Sequence, residues 1–266
     1  MEIRKRIELV SFFIEKEKVM QLPERHIIDV KVDLNDEQMK LYKKIEEDYV
    51  SAVHGYGEDG EFLEGELAVE HEQTVRIKLL QILNGFVNIK DEFGKTQRVT
   101  LPWNAKLEKL KKMVQADLDE DPTNNIIIWC RFRHEIETIY EIYKDIGTFV
   151  YGGMGDAKRE RHLLKWQDDP SCRIIIAHPK SCKFGFTWNK ANRTYYYSAT
   201  EDFEDFSQSR DRNYRRGQTR EVKEYRFCTT KTIESRVWYA ITQKKKLDVF
   251  IKQYYQQFEV PKIKKE

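Results

Sequence analysis

Five arginines lie between residues 210 and 220, in the stretch QSRDRNYRRGQTR that begins at Gln208. A guanidinium group stays charged and forks onto phosphate oxygens, so such a cluster suits an anionic ligand. Asp205 and Asp211 lie close enough along a helix to neutralise only one or two of these arginines. The surplus positive charge predicts a phosphate-binding site, and residue types alone leave an ordinary solvated surface as the alternative.

The elements that must position this cluster follow from the hydrophobic pattern after about residue 104. Short apolar runs alternate with helical periods, which predicts a doubly wound parallel α/β sheet with helices on both faces. The runs are nearly continuous, as expected for strands covered on both sides. The five predicted strands are IIIWC (126–130), TFVY (148–151), RIIIA (173–177), TYYYS (194–198) and VKEYRF (222–227). The arginines follow the fourth strand and a short helix, which places them at an edge of the sheet.

The first hundred residues have a different pattern. The stretch DLNDEQMKLYKKIEEDYVSAV (33–53) is strongly helical, and RIKLLQILNGFV (76–87) is a second helical candidate. NIKDEFGKTQRVTL (88–101) reads as a hairpin that turns near Phe93 and Gly94. The pattern predicts a mostly helical appendage over residues 1–100 and an α/β domain over residues 101–266.

Bulk composition limits the classes of protein and of site. The net charge is only +2 over 266 residues, so any nucleic-acid footprint must be local. Four cysteines without a CxxC pair indicate neither a zinc site nor a disulfide-stapled domain, and they favour a reducing compartment. No apolar run approaches the roughly 20 residues of a membrane span. Glu8, Glu15 and Glu17 interrupt the apolar start, which predicts an amphipathic helix in place of a signal peptide.

Two glycine motifs resemble phosphate-binding loops without completing them. Gly94, Lys95 and Thr96 match the tail of such a loop, but Ile89 stands where its first glycine belongs. YGGMGD (151–156) lacks the GxGxxG spacing of a dinucleotide fingerprint and is predicted to be a strand-to-helix turn with Asp156 as the cap. Both motifs are therefore interpreted as turns.

The pattern Q-x-x-D-R-x-x-R-x-G-Q over residues 208–218 resembles the last helicase motif of superfamily two, in the Swi/Snf-like branch of DNA translocases. Four further segments resemble parts of the second RecA-like lobe in the family's order: IIIWCRFRHEIETIYEIY, YGGMGDAKRERHLLKWQDDPSCRIIIA, KSCKFGFTWNKANRTYYYS and VKEYRFCTTKTIESRVWYAITQKKKL. LPERHIIDVKVDLNDEQMKLYKKI, upstream, is similar to the family's connector and helical protrusion. The resemblance implies a RecA-like second lobe, of the kind found in P-loop NTPases.

The resemblance also implies roles for individual residues. Arg212 and Arg215 are expected to be arginine fingers that neutralise the γ-phosphoryl group of ATP, and Gln208 is expected to position them or the attacking water. Nucleotide contacts are expected at Gly185, Asp211 and Gln218. Contacts to the phosphates of double-stranded DNA are expected at Arg131, Lys180, Ser181 and Lys183, with an ordinary solvated loop as the alternative.

One loop departs from the family. The glycine-rich loop of the family reads Ala-Gly-Gly-x-Gly-Leu-Asn-Leu, whereas residues 181–188 read SCKFGFTW. Only Gly185 remains, Lys183 replaces a glycine, and Thr187 stands at the position of the asparagine. An altered approach to DNA phosphates is expected, with the Lys183 ammonium in place of amide contacts. Trp188 is predicted to pack beneath the loop instead of stacking on a nucleotide.

The sequence contains neither a complete phosphate-binding loop nor an Asp-Glu-x-His box. In the family, these motifs belong to the N-terminal RecA-like lobe, which binds ATP and Mg²⁺. The chain is therefore expected to be a second lobe that is inactive as an ATPase alone, in the cytoplasm or in a eukaryotic nucleus. The alternatives are a non-catalytic module that binds nucleic acid or protein and, third, a nucleotide-binding enzyme that uses Gly94 to Thr96.

Overall fold

The structure is a computed structural model that describes residues 21–48, 50–57, 60–68, 72–90, 93–182 and 187–243. The amphipathic helix predicted within the first twenty residues lies outside this part of the chain. Lys183 and Gly185 also lie outside it, so their predicted contacts stay predictions.

The first elements in chain order combine strands and helices. They are β1 (Arg25–Val32), α1 (Asp36–Asp48), β2 (Val50–Tyr56), β3 (Phe62–Ala68), α2 (Glu72–Leu83), β4 (Phe86–Lys90) and β5 (Thr96–Thr100). From residue 105 onward strands and helices alternate. These later elements are α3 (Ala105–Glu120), β6 (Ile126–Trp129), α4 (Arg133–Tyr143), β7 (Gly147–Val150), α5 (Asp156–Asp168), β8 (Ile174–Ala177), β9 (Arg193–Tyr196), α6 (Phe203–Arg210), β10 (Val222–Thr229) and α7 (Ile233–Thr242), with a short 3₁₀ helix at Pro179–Cys182.

The main sheet has six strands in the order β1-β10-β9-β6-β8-β7, and all its pairings are parallel. Its strands therefore all begin at one edge, the amino edge, and all end at the other, the carboxyl edge. Ile126, Ile128 and Tyr195 pack on α3 and α4, while Trp129 and Tyr196 pack in the core on the opposite face with α5, α6 and α7. The predicted doubly wound α/β sheet and its five strands are confirmed.

The sixth strand, β1, was assigned to the appendage by the sequence analysis, and this part of the assignment is wrong. It pairs with β10 along its whole length, from Arg25 beside Val222 to Val32 beside Thr229. As an edge strand, β1 is mostly exposed and buries only Val30 and Val32. It therefore lacks the continuous apolar run that identifies the central strands.

A second, four-stranded antiparallel sheet forms with α1 and α2 over residues 36–100, here called the small-sheet unit. The prediction of a mostly helical appendage is wrong in this respect, although the β4–β5 hairpin and its turn at Gly94 were predicted. Glycine and charged residues interrupt the apolar pattern of β2 and β3, so neither reads as a strand. The unit shares one hydrophobic core with α7, and the Tyr42 hydroxyl accepts from the Ile233 N–H at 2.8 Å.

Both glycine motifs are turns, as predicted. Gly94 lies in the β4–β5 hairpin at φ +75°, and Gly153 lies between β7 and α5 at φ +86°. The N-cap of α5 is Gly155, and Asp156, which was predicted to be the cap, is the first helical residue. Within the described ranges, no helix combines the length and the apolar character that a bilayer crossing requires.

Gly85→Ala is expected to destabilise the fold for two reasons. Gly85 follows α2 at φ +80°, and an added Cβ would lie 2.4 Å from Nδ2 of Asn104. That amide donates to the Asn84 carbonyl at 2.8 Å, so it has little room to move. The strained backbone costs about 1 to 3 kcal/mol, and overpacking adds about 1 to 3 kcal/mol. Urea unfolding measures the sum.

Gly94→Ala is the matched control, because Gly94 also has a positive φ but nothing lies within 4 Å of its added Cβ. Gly94→Ala should lose only the stability that the strained backbone costs, without the overpacking contribution. An equal loss of stability in the two variants would show that Asn104 does not resist the collision.

Candidate functional site

The arginine cluster begins where α6 ends. The Asp202 carboxylate caps this helix by accepting from the N–H groups of Glu204 at 2.7 Å and Asp205 at 3.2 Å. Asp211 is the C-cap residue and is exposed. Because α6 follows β9 and returns towards the start of β10, it carries the chain from the carboxyl edge of the main sheet to the amino edge.

Gln218 fastens the segment after α6 to the amino edge. Its side-chain Nε2 donates to the carbonyls of Asn189, Ala191 and Asn213 at 3.0, 2.9 and 3.1 Å. Its Oε1 accepts from the two backbone N–H groups that follow, and the residue is only 5 % exposed. The predicted nucleotide contact of Gln218 is therefore replaced by a structural role, because both polar atoms of its amide bind the backbone.

Two further side chains hold the same segment against the sheet. Asn213 is buried and donates to the Thr194 hydroxyl at 2.8 Å. The Arg220 guanidinium donates to Asp121 Oδ2 at 2.6 Å and to Asn124 Oδ1 at 2.9 Å, in the turn that precedes β6. The backbone of the arginine cluster is thus fixed by contacts on both sides.

The five arginines have different surroundings. Arg210 forms an ion pair with the buried Glu224 at 3.0 Å, and Arg220 pairs with Asp121. Arg212 is half-buried, and its carbonyl accepts from the Trp188 N–H at 2.9 Å. Among the residues that the structure describes, the side chains of Arg215 and Arg216 have no hydrogen-bond or ion-pair partner. Arg215 is half-buried and Arg216 is exposed, so the surplus charge predicted from the sequence includes these two positions.

Gln208 lies on the last turns of α6, next to the arginine cluster. Its side-chain amide donates to Glu204 Oε1 at 2.8 Å on the same helix, close to solvent. This hydrogen bond is local and lies outside the core, so the side chain could exchange it for another partner. The predicted positioning role of Gln208 stays a prediction.

Three of the four residues predicted to contact DNA, Arg131, Lys180 and Ser181, lie at the carboxyl edge, away from the segment that Gln218 fastens at the amino edge. Lys180 and Ser181 belong to the 3₁₀ helix after β8, and Arg131 follows β6. Lys180 is exposed, whereas Ser181 is half-buried. The structure therefore separates the predicted site residues that it describes into two groups on opposite edges of the main sheet.

Arg131 is committed to an ion-pair network. Its Nη2 lies 2.7 Å from Glu201 Oε2, and Arg76 of α2 lies 2.9 Å from the other oxygen of Glu201. The Arg131 side chain is only 15 % exposed. The network links the carboxyl edge to the small-sheet unit and was missed by the sequence analysis, because its three members are far apart in the sequence. Lys180 is the better candidate for a DNA phosphate contact.

Trp188 connects the two groups. It is 2 % exposed and stacks on Trp129 with ring centroids 5.2 Å apart, so its ring packs in the core, while residues 183–186 of the loop beneath which it was predicted to pack lie outside the described residues. Its backbone N–H donates to the carbonyl of Arg212, which joins it to the arginine cluster.

The part of the chain that the structure describes contains no preformed metal-binding centre. There, no three His, Cys, Asp or Glu side chains come together in a group that could hold a metal ion.

Comparison with known proteins identifies the class. Residues 105–217 match the family described as the helicase conserved C-terminal domain, a span that runs from α3 to the residue before Gln218. This region is therefore similar to helicase C-terminal domains. The predicted resemblance to the C-terminal lobe of Swi/Snf-like helicases is confirmed by the curated relatives and the solved structures below.

The curated relatives are much longer than this chain. The "Probable ATP-dependent helicase" of Plasmodium falciparum (isolate 3D7) is 28 % identical over 181 residues, covering 64 % of this chain and 8 % of the relative. The ATP-dependent helicase ULS1 of Saccharomyces cerevisiae is 26 % identical over 138 residues, covering 50 % of this chain and 8 % of the relative. The chain thus spans less than a tenth of each of these two proteins.

Solved structures share the fold. The C-terminal part of the Fun30 ATPase domain has a TM-score of 0.57 at 17 % identity and covers 82 % of this chain and 88 % of that one. The Sulfolobus solfataricus SWI2/SNF2 ATPase core in complex with dsDNA has a TM-score of 0.55 at 20 % identity, over 91 % of this chain and 49 % of that one. The fold is that of a RecA-like C-terminal lobe of Swi/Snf-like ATPases.

Proposed function

We propose that this chain is the second lobe of an ATP-dependent translocase that acts on double-stranded DNA. It would supply guanidinium groups to ATP held by an N-terminal RecA-like lobe, in the same protein or in a separate chain. The observation that carries the proposal is the position of Arg215. This arginine occupies the second finger position of the helicase motif, it is half-buried, and it has no ion-pair partner among the described residues.

The chemistry follows from charge. Phosphoryl transfer spreads negative charge over the γ-phosphoryl oxygens, and a pre-positioned guanidinium stabilises that charge. Gln218 and Arg220 hold the backbone on one side of Arg215, and the Trp188 N–H holds Arg212 on the other. A cation fixed in this way needs little reorganisation when ATP arrives, and partial burial strengthens its field.

The residues present fit a nucleotide only in part. Arg212 and Arg215 suit phosphate oxygens, and Gln208 and the exposed Asp211 lie close enough in the chain to assist them. The described residues offer no carboxylate cluster for Mg²⁺. The metal and most of the nucleotide would therefore be bound by the N-terminal lobe, and the chain alone would be inactive.

The carboxyl edge is the proposed track for DNA. Lys180 is exposed there on the short helix after β8, beside Ser181. Lys183 in the following loop would add a second ammonium group. Few phosphate contacts release few counterions, so DNA binding should be weak and should fall as salt rises. A related ATPase core has been solved in complex with dsDNA, which supports this partner.

Phosphate release tests the proposal. The pure chain with ATP, Mg²⁺ and duplex DNA is expected to release phosphate no faster than buffer, and adding the N-terminal lobe is expected to produce DNA-stimulated release. Release by the chain alone would contradict the division of labour between lobes. A mixture that binds DNA but never hydrolyses ATP would favour a non-catalytic module derived from a helicase lobe.

A further inference from the structure

Three cations form a row on α5, outside both groups of candidate residues. Lys158, Arg161 and Lys165 recur at spacings of three and four residues, so they share one face of the helix. All three are exposed, and they are called the α5 basic face below. At the helical rise of about 1.5 Å per residue, the face extends over about 10 Å.

The α5 basic face is held against β7, the last strand of the main sheet. Lys165 Nζ donates to the Gly147 carbonyl at 3.1 Å, and the Lys158 ammonium lies 5.8 Å from the centre of the Phe149 ring. These contacts reach both ends of the strand. Because ordering long side chains costs free energy on binding, cations that are already held lose less when an anion arrives.

Carboxylates do not neutralise the face. Among the described residues, no ion pair involves any of its three cations. Asp156 at the start of the helix lies 3.6 Å from Arg159, and Glu160 is at spacings that do not face the three cations. Burial and the three cations lower the pKa of His162, which shares the face. The positive charge of the face is therefore uncompensated by the part of the protein that the structure describes.

The aromatic rings beside the face are covered. Phe149 and Tyr151 stack with ring centroids 5.7 Å apart, and the ring of Tyr140 on α4 lies 4.5 Å from that of Phe149. The Arg133 guanidinium lies 4.7 Å from the centre of the Tyr151 ring. A nucleic-acid base would have to displace these contacts in order to stack. An anion at this face would therefore be recognised through its charge and not through base stacking.

The face begins beside the proposed DNA track. Gly152 lies in the turn between β7 and α5, and a Cβ added to it would lie 3.7 Å from Oγ of Ser181. Ser181 and Lys180 belong to the 3₁₀ helix after β8, and Lys158 lies in the first turn of α5. The 3₁₀ helix and the turn that leads into α5 therefore adjoin.

We propose that the α5 basic face binds the phosphate backbone of duplex DNA, as a contact additional to those at the carboxyl edge. Duplex DNA carries one negative charge per about 1.7 Å of its axis. Its phosphates lie outside and its bases are stacked inside, which suits a row of cations without an open ring. The choice of duplex DNA rests on the proposed function. An extended acidic peptide is disfavoured, because Lys165 occupies the Gly147 carbonyl of the edge strand that such a peptide would pair with.

Binding of a short fluorescent DNA duplex to the full chain, followed by anisotropy as KCl increases, tests the proposal. The double variant Lys158→Gln with Arg161→Gln removes two exposed cations and leaves the Lys165 contact intact. The slope of log affinity against log salt falls by about 0.9 for each lost phosphate contact, so the double variant should lower it by about 1.8. An unchanged slope in this variant would overturn the proposal.

Lys109→Gln with Lys112→Gln is the matched control. These two lysines are also exposed, but they lie on α3, so the same charge is removed away from the face. The control should keep nearly the unaltered slope. An equal fall in the two double variants would show that only net charge matters, and this result would also overturn the proposal.

The imidazole of His162 reports binding locally. Because the three cations of the face help to lower its pKa, phosphates that bind there should raise it. From β7, His162 is faced by the Thr148 hydroxyl at 2.7 Å and by the Phe149 ring. NMR titration with and without the duplex measures the change. A pKa that is the same with the duplex bound would count against the site.

The same binding assay separates this inference from the proposed function. If Lys180→Gln weakens duplex binding and the α5 double variant does not, the carboxyl-edge track stands and the α5 contact is wrong. If the unaltered chain does not bind the duplex at all, the proposed DNA partner fails as well. Displacement of the duplex by polyglutamate as effectively as by unlabelled duplex would overturn the choice of DNA in favour of an acidic protein.

Discussion

Arg215→Ala is expected to lower DNA-stimulated ATP hydrolysis by about 10³- to 10⁵-fold when this lobe is combined with its N-terminal lobe, the range seen for arginine fingers. The side chain is half-buried and is not consumed by an ion pair with any described residue, so its charge is available to the γ-phosphoryl group. Arg212→Ala is expected to act in the same direction. Phosphate release at saturating ATP and DNA measures both effects.

Arg216→Ala is the matched control for Arg215. The two arginines are adjacent, and Arg216 is likewise without an ion-pair partner among the described residues, but it is exposed and lies outside the Arg-x-x-Arg spacing. This variant should hydrolyse ATP at nearly the unaltered rate. DNA binding, followed by fluorescence anisotropy, should be retained in every variant, because the described DNA candidates, Arg131, Lys180 and Ser181, lie at the carboxyl edge.

Arg215→Lys separates charge from geometry. A lysine keeps the positive charge but cannot fork onto two oxygens, so most of the loss should remain. Normal turnover by Arg215→Ala, or an equal loss in Arg216→Ala, would show that the finger has been assigned to the wrong residue.

Lys106→Met should strongly destabilise the chain, lowering the free energy of unfolding by about 3 to 5 kcal/mol, the usual cost of breaking a buried ion pair from one side. Lys106 Nζ lies 2.5 Å from Glu234 Oε1, and both side chains are 0 % exposed. The other oxygen of Glu234 accepts from the N–H and the hydroxyl of Thr229. Without the ammonium, a buried carboxylate would be left uncompensated. Chemical denaturation measures the loss.

Lys111→Met provides the comparison on the same helix. Lys111 pairs with Glu108 at 2.6 Å, but the two side chains are 40 % and 60 % exposed. Exposed pairs of this kind contribute about 0 to 1 kcal/mol. The double variant Lys106→Met with Glu234→Gln should recover much of the stability, because it also removes the buried charge. Equal losses in Lys106→Met and Lys111→Met would contradict the burial argument.

The Lys106–Glu234 pair also gives a structural role to residues 232–234 (TIE), which lie in the segment VKEYRFCTTKTIESRVWYAITQKKKL that resembles the family. Glu234 is the last residue of the TIE segment, and Thr232 caps α7 by accepting from the Glu234 N–H. Its carboxylate then joins α7 to α3 through Lys106. Nothing in the local pattern distinguishes Lys106 from the exposed lysines beside it, because all of them interrupt an amphipathic helix in the same way.

Local patterns were sufficient for most elements of the main sheet. The central strands are apolar along their whole length, and the side chain of Asn104, an ordinary N-cap residue, caps α3 by accepting from the Leu107 N–H. Hydrophobic period and capping chemistry act within a few residues, so they can be read without the fold. The position of β1 in the main sheet could not be predicted from local patterns. An edge strand buries few side chains, and its partner β10 is nearly 200 residues away in the sequence.

The sequence by itself determined that positive charge accumulates around the end of α6 and that the motif there resembles one of a helicase lobe. Only the tertiary structure decided how that charge is distributed. It pairs Arg210 with Glu224 of β10 and Arg220 with Asp121 before β6, turns Gln218 inward, and engages Arg131 with Glu201. These contacts join residues that strand order brings together, and strand order depends on long-range packing that local periodicity does not encode.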